Sequence, residues 1–143
     1  QAGFDARGID LNSKDINMGI KMYGVDIEKS FLHEYKEYEF DVVATFNVIE
    51  HVSSPIDLIM EMKSRLKSDG IMVIGTHDIE CQNHIREKEN WKHIIPNEHM
   101  YYFSIKTLRN LCELCDLEMF HHNKPIENSI VAYFRRNNEG QYV

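Results

Sequence analysis

The run Phe40-Asp41-Val42-Val43-Ala44-Thr45-Phe46 constrains the fold of this chain more than any other segment. A strand with one wet face alternates apolar and polar residues. A run this apolar instead predicts an interior strand of a parallel sheet covered on both faces. Ile71-Met72-Val73-Ile74-Gly75 is a second run of the same kind. Between them Ser54-Pro55 marks a helix start, a capping hydroxyl followed by proline at the first helical position. That helix is predicted to run to about Lys67, with Ile56, Ile59, Met60 and Leu66 available for burial and Gly70 ending the connection. Strand, helix and strand in this order place the chain in the α/β class.

The flanking segments continue the alternation. Residues 6–9 read as a short strand ending at Asp10. Asn12 or Ser13 caps a helix reaching about Tyr23, with Gly24 behind it and Asp15 three residues after Asn12 in a capping-box-like arrangement. Residues 25–38 are open between a strand at 25–27 followed by a loop and one followed by a short helix. Residues 77–100 are polar, hold the only Trp and have no sustained period, with a short helix near 80–88. Connections of that length in a small domain are often functional. Ser104 caps a helix with Leu108, Leu111, Cys112 and Cys115 on one face. Residues 117–122 and 129–135 read as a closing pair of strands joined by a turn containing Pro125. The expected organisation is one domain over residues 1–135 and a polar, fraying tail over 136–143.

Charge and cysteine content narrow the function classes. A net charge of −7 speaks against nucleic acid or an anionic membrane as the main partner. No apolar run approaches the ~18 residues of a membrane span. Three cysteines without a secretory signal point to a reducing, cytoplasmic compartment. The glycines are scattered, and neither a P-loop nor G-x-G-x-x-G is present.

Several residues can carry chemistry, each with a plainer alternative. Asp10 stands where doubly wound sheets place a carboxylate on a ribose diol, or it merely helps to cap the next helix. Asn47-Val48-Ile49-Glu50-His51 leaves the carboxyl end of the strongest strand, the edge at which such sheets bind ligands. Glu50 and His51 can serve acid–base work or a divalent ion, or can bond to nearby backbone. His84, His93 and His99 lie in the long polar segment; His99 is a candidate general base or a loop anchor. Trp91 is a lid residue or an anchor. Cys112-x-x-Cys115 lacks a second ligand pair and sits on the apolar helix face, so it reads as core packing. His121 and His122 should face opposite sides of a strand and cannot easily share a metal.

Four segments in order carry a family resemblance. Gly8-Ile9-Asp10-Leu11-Asn12 resembles the second-strand motif of class I S-adenosylmethionine-dependent methyltransferases. Phe40-Asp41-Val42-Val43 followed by Val48-Ile49-Glu50-His51-Val52 resembles their fourth strand and its exit. Residues 66–74 resemble the stretch in which L-K-P-G-G precedes a strand, with Ser68 and Asp69 at the Pro and first Gly positions. Asn97-Glu98-His99-Met100, Phe103-Ser104 and Thr107-Leu108 are similar to the E-H-x-x-x-F-S-x-x-T-L segment of the type 11, 12 and 23 subgroup, which includes ubiquinone-biosynthesis O-methyltransferases.

The resemblance implies a Rossmann-like doubly wound sheet of seven strands with a reversed final hairpin. It implies S-adenosylmethionine as cofactor, Asp10 on its ribose, and Phe46, Asn47 and Val48 beside it, with Glu28 a candidate for the adenine. It implies methyl transfer to a small-molecule acceptor, by O-methylation, with His99 and His51 as candidate bases. The ubiquinone enzymes carry an E-x-x-E-H segment linked to a divalent cation; Asn47 stands at its first Glu, leaving Glu50 and His51 alone, so the metal does not carry over with the motif. The family's first strand and glycine-rich loop are not found, and Gln1-Ala2-Gly3-Phe4 looks like the end of its first helix. The expectation is therefore an N-terminally truncated domain, inactive by itself, that dimerises through an unpaired sheet edge. The alternatives are a non-catalytic Rossmann-like interaction module and a metal-dependent hydrolase using the histidines.

Overall fold

The computed structural model describes residues 3–36 and 39–137. The chain divides into two compact units, Gln1–Glu37 and Tyr38–Val143.

In the first unit, β1 (Arg7–Asp10) pairs in parallel with β2 (Asp26–Lys29), and α1 (Ser13–Tyr23) connects them. The helix starts where sequence places it. The side chain of Asn12 accepts the N–H of Lys14, and Gly24 closes the helix in the left-handed region at φ 61°, which glycine adopts without steric cost. The capping-box-like arrangement takes a different form: Asp15 accepts from the Asn12 side-chain amide, while the Asn12 backbone N–H goes to Asp10. Residues 25–38 begin with a strand, one residue later than expected, and then a turn; Tyr38 lies outside the described residues. The helix end expected at residues 1–4 falls partly on Gln1 and Ala2, which also lie outside them.

The second unit holds a four-stranded sheet in the order β3-β4-β6-β5. Its strands are β3 (Phe40–Phe46), β4 (Leu66–His77), β5 (Leu117–Asn123) and β6 (Ser129–Arg136). β3 and β4 are parallel, and β6 runs antiparallel to both β4 and β5, giving the reversed closing hairpin. β6 extends through Arg136, one residue into the expected tail, because the Arg136 guanidinium donates to the carbonyls of Lys63 and Leu66. Residues 138–143 lie outside the described residues.

Two features differ from expectation, the end of one helix and the surroundings of one strand. α2 (Pro55–Ser64) starts under the Ser54 cap but stops at Ser64, and Leu66 already pairs with Phe40 as the first residue of β4. Pairing with β3 outcompetes the last helical turn, so the strand is longer than the apolar run alone. Ile59, Met62 and Leu66 are buried while Ile56 and Met60 are exposed, because α2 turns only one stripe toward β4. The second difference is β3 itself, most of whose side chains are exposed. It is an edge strand of this sheet, and the unit's helices pack against β4, β5 and β6 rather than on it.

The core centres on Met72, Ile74, Leu108, Ile130, Ala132 and Phe134, all fully buried. α4 (Ile105–Glu113) lies against β5 and β6 with a complete capping box between Ser104 and Thr107. Cys112 and Cys115 are free and buried in this core, and burial pushes both thiols above the ordinary value. No helix among the described residues is long and apolar enough to cross a membrane.

Two outcomes follow from burial. Ile59→Ala should cost about 2–5 kcal/mol and Ile56→Ala less than about 1 kcal/mol in urea unfolding, although both lie on α2. Folded protein should react slowly with a thiol reagent at neutral pH and release all three thiols on denaturation; rapid native labelling of Cys112 or Cys115 would contradict the packing.

Candidate functional site

The site is built where β3 ends. Asn47 takes a positive φ of 53°, which asparagine tolerates better than most residues, and donates its backbone N–H to the carbonyl of Gly75 at 2.9 Å. A Cβ at Gly75 would lie 2.3 Å from the Phe46 ring, so the glycine leaves the space in which that ring lies across β4. The chain then turns, with the His51 N–H on the Val48 carbonyl. That turn sends Ile49 and Glu50 inward and leaves Phe46, Val48 and His51 exposed.

The long segment after β4 closes over this exit. α3 (Gln82–Glu87) is capped by Cys81, whose sulfur accepts the His84 N–H, and a 3-10 turn (Lys88–Asn90) follows. Trp91 is buried against the rings of His77, His84 and His93, so it anchors the segment. From there the chain is strapped back to the β3 exit. The Glu50 carbonyl accepts the N–H groups of Met100 and Tyr101, at 2.8 and 3.3 Å. Tyr101 donates its hydroxyl to the Ser53 carbonyl. The Tyr102 hydroxyl accepts the N–H of Ile95.

These straps bring Glu50, His51 and His99 together, each offering one ligand atom within 4.8 Å of the others. Glu50 is 2% exposed and His99 6%. Nδ1 of His51 lies 2.8 Å from the Glu98 carbonyl, and Nδ1 of His99 lies 2.9 Å from the His93 carbonyl. Thr76 donates its hydroxyl to Oε2 of Glu50. Oε1 has no hydrogen-bond partner, and Nδ1 of His77 stands 3.4 Å from it. His77 stacks on His93 at 3.9 Å between ring centroids. Burial holds both imidazoles below the usual histidine range; at His77 the Glu50 charge opposes that shift. A cavity of about 400 Å³ lies between the start of α2 and Tyr101, Tyr102 and Phe103; Glu50, His51 and His99 are not among the residues that line it. That volume is in the range of small-molecule sites.

The expected residues therefore divide. Glu50, His51 and His99 converge, although His51 and His99 come from segments far apart in sequence. Phe46, Asn47 and Val48 lie at the adjoining strand exit. Asp10 is in the first unit, exposed at the end of β1, and accepts the Asn12 N–H at 2.7 Å, the capping role weighed as its plainer alternative. Glu28 lies within β2, also exposed. His121 and His122 are both exposed on β5 and take no part in the cluster. Sequence reasoning passed over Thr76 and His77. Their signal was their place directly after the second apolar run, at the same sheet edge as Glu50.

Comparisons with known proteins bear on the family and the fold. Residues 1–122 match the family model described as a methyltransferase domain. Curated tRNA U34 carboxymethyltransferases of Campylobacter jejuni strains are 33% identical over 84 residues; the match covers 57% of this chain and spans 28% of their length. A SAM-dependent methyltransferase from Thermotoga maritima superposes with a TM-score of 0.71 at 16% identity, covering 91% of this chain and 72% of that one. The trans-methyltransferase CalH, solved with S-adenosylhomocysteine, superposes at 0.73 with 9% identity, covering 95% and 45%. These structures share the Rossmann-like fold. With the family model spanning most of its length, the chain belongs to the methyltransferase-domain family, the class I S-adenosylmethionine-dependent enzymes.

Proposed function

We propose that this domain transfers the methyl group of S-adenosylmethionine to a hydroxyl of a small molecule. The observation that carries the reading is the convergence of two imidazoles and a buried carboxylate at the β3 exit. Methyl transfer from a sulfonium needs little covalent chemistry from the protein. It needs an aligned, desolvated acceptor that loses its proton. His51 and His99 promote that proton loss, and Tyr101 to Phe103 flank the acceptor. The family resemblance assigns Asp10 to the ribose diol and Phe46, Asn47 and Val48 to the cofactor. Asp10 suits that role because its exposed carboxylate keeps acceptor capacity beyond its bond to Asn12.

A second reading takes the acceptor to be a tRNA, because the Campylobacter relatives carry that substrate in their name. The chain's net charge of −7 favours the small molecule, since phosphate backbones are gripped by an excess of Lys and Arg.

Two measurements on the natural protein test the proposal. In calorimetry with S-adenosylhomocysteine, Asp10→Ala should weaken binding about 10-fold or more, as for a lost charged hydrogen bond; unchanged binding would remove Asp10 from the site. With methyl-labelled cofactor, His99→Gln should lower kcat by about 100-fold or more, with folding checked by circular dichroism. In the same assay label should reach small hydroxylated acceptors. Label that enters only tRNA would overturn the small-molecule reading.

A further inference from the structure

We infer that Glu50, His51 and His99 form a binding site for a divalent transition metal of the zinc class. The inference rests on the geometry of the three residues and not on methyl transfer. Metal binding without transferase activity would leave this inference standing and the proposed function failed.

The first ground is the state of the two imidazoles. A backbone carbonyl only accepts hydrogen bonds, so Nδ1 of His51, on the Glu98 carbonyl, and Nδ1 of His99, on the His93 carbonyl, must each carry the proton. In their neutral form the rings then hold their free lone pairs on Nε2. A histidine whose other nitrogen is committed to a carbonyl is the ordinary form of a metal ligand, because that bond fixes both tautomer and ring direction.

The second ground is independent. Glu50 is a buried carboxylate with one oxygen engaged by Thr76 and the other without a hydrogen bond, facing only Nδ1 of His77 at 3.4 Å. Leaving such an oxygen unsatisfied is costly, and a cation ligated by Oε1 removes the cost. One ligand-capable atom of each of the three residues lies within 4.8 Å of the others. Metal–ligand distances of about 2.0–2.2 Å need them somewhat closer, so the three side chains draw together when the metal binds.

The donor set decides the metal. Two imidazole nitrogens and one carboxylate suit zinc and its neighbours, whereas magnesium prefers an all-oxygen shell. Three protein ligands also leave a position for an acceptor oxygen, whose proton a bound metal makes more acidic. The set differs from the E-x-x-E-H pattern of the ubiquinone enzymes. Asn47, at the place of their first Glu, turns the chain at a positive φ with its N–H on Gly75, and the third ligand comes instead from His99, across the strapped loop.

The test titrates the metal-free chain with Zn²⁺, Co²⁺ and Mg²⁺ by calorimetry and, for Co²⁺, visible absorption. Expected are one Zn²⁺ per chain, a Co²⁺ ligand-field spectrum without the charge-transfer band of thiolate ligation, and much weaker Mg²⁺ binding. His99→Ala and Glu50→Gln should each weaken Zn²⁺ by more than about 100-fold, while His121→Ala, on β5 and outside the cluster, stays within about 3-fold. Thermal melts without metal confirm that the variants fold, and the cobalt spectrum of the unaltered chain needs no variant. Absence of stoichiometric Zn²⁺ binding, a thiolate band, preference for Mg²⁺, or Zn²⁺ affinity unchanged in His99→Ala would overturn the inference.

Discussion

The candidate site depends on one backbone interaction, the Glu50 carbonyl accepting the N–H groups of Met100 and Tyr101. It ties the end of a long, irregular segment to the exit of β3. Together with the bond from His51 Nδ1 to the Glu98 carbonyl, it holds His99 beside His51. A loop that crosses a sheet edge carries many polar backbone groups, and it stays in place only when those groups find partners. Here they find them on both sides of the site. Glu98 and His93 give their carbonyls to the imidazoles, and the Ile95 N–H goes to Tyr102. The bonds that order the loop are the same bonds that set the tautomers of the histidines.

The rest of the second unit keeps this edge rigid. β4 runs through the sheet centre with β3 and β6 on either side, and its last residues, Thr76 and His77, reach Glu50. Gly75 leaves the space in which the Phe46 ring lies across β4. Beyond His77, Asp78 is fully buried, forms an ion pair with Lys124, and accepts the Glu80 N–H, so the start of the polar segment is clamped to the β5–β6 turn. Trp91 supplies the apolar anchor midway. The polar site is thus supported at both ends and its middle, the condition under which buried polar groups keep a defined geometry.

Much of this was legible in the sequence, for local reasons. The caps at Asn12, Ser54 and Ser104 are short-range signals, and all three start helices where read. The span of β3 was read from its apolar run, but its environment was not: apolar content says that a strand can be covered, not what covers it. The end of α2 was misplaced because Leu66 suits both a helix face and a strand, and only pairing with Phe40 decides. In the site, Glu50, His51 and His99 were each visible as candidates. Their convergence was not, because it arises from hydrogen bonds between distant backbone groups that leave no trace in residue type. His77 was overlooked for the same reason, since a histidine after a strand becomes notable only beside a buried carboxylate.

The strapped loop holds His51 and His99 with Nδ1 on backbone carbonyls and Nε2 free. Long-range proton–nitrogen correlation NMR of the imidazoles, on metal-free protein near neutral pH, reads the tautomers directly. The account predicts the Nδ1–H form for both rings, with exposed His121 and His122 showing the usual solution mixture. Finding His51 and His99 mainly in the Nε2–H form would contradict it, because the carbonyl bonds on which the whole site rests would then be absent.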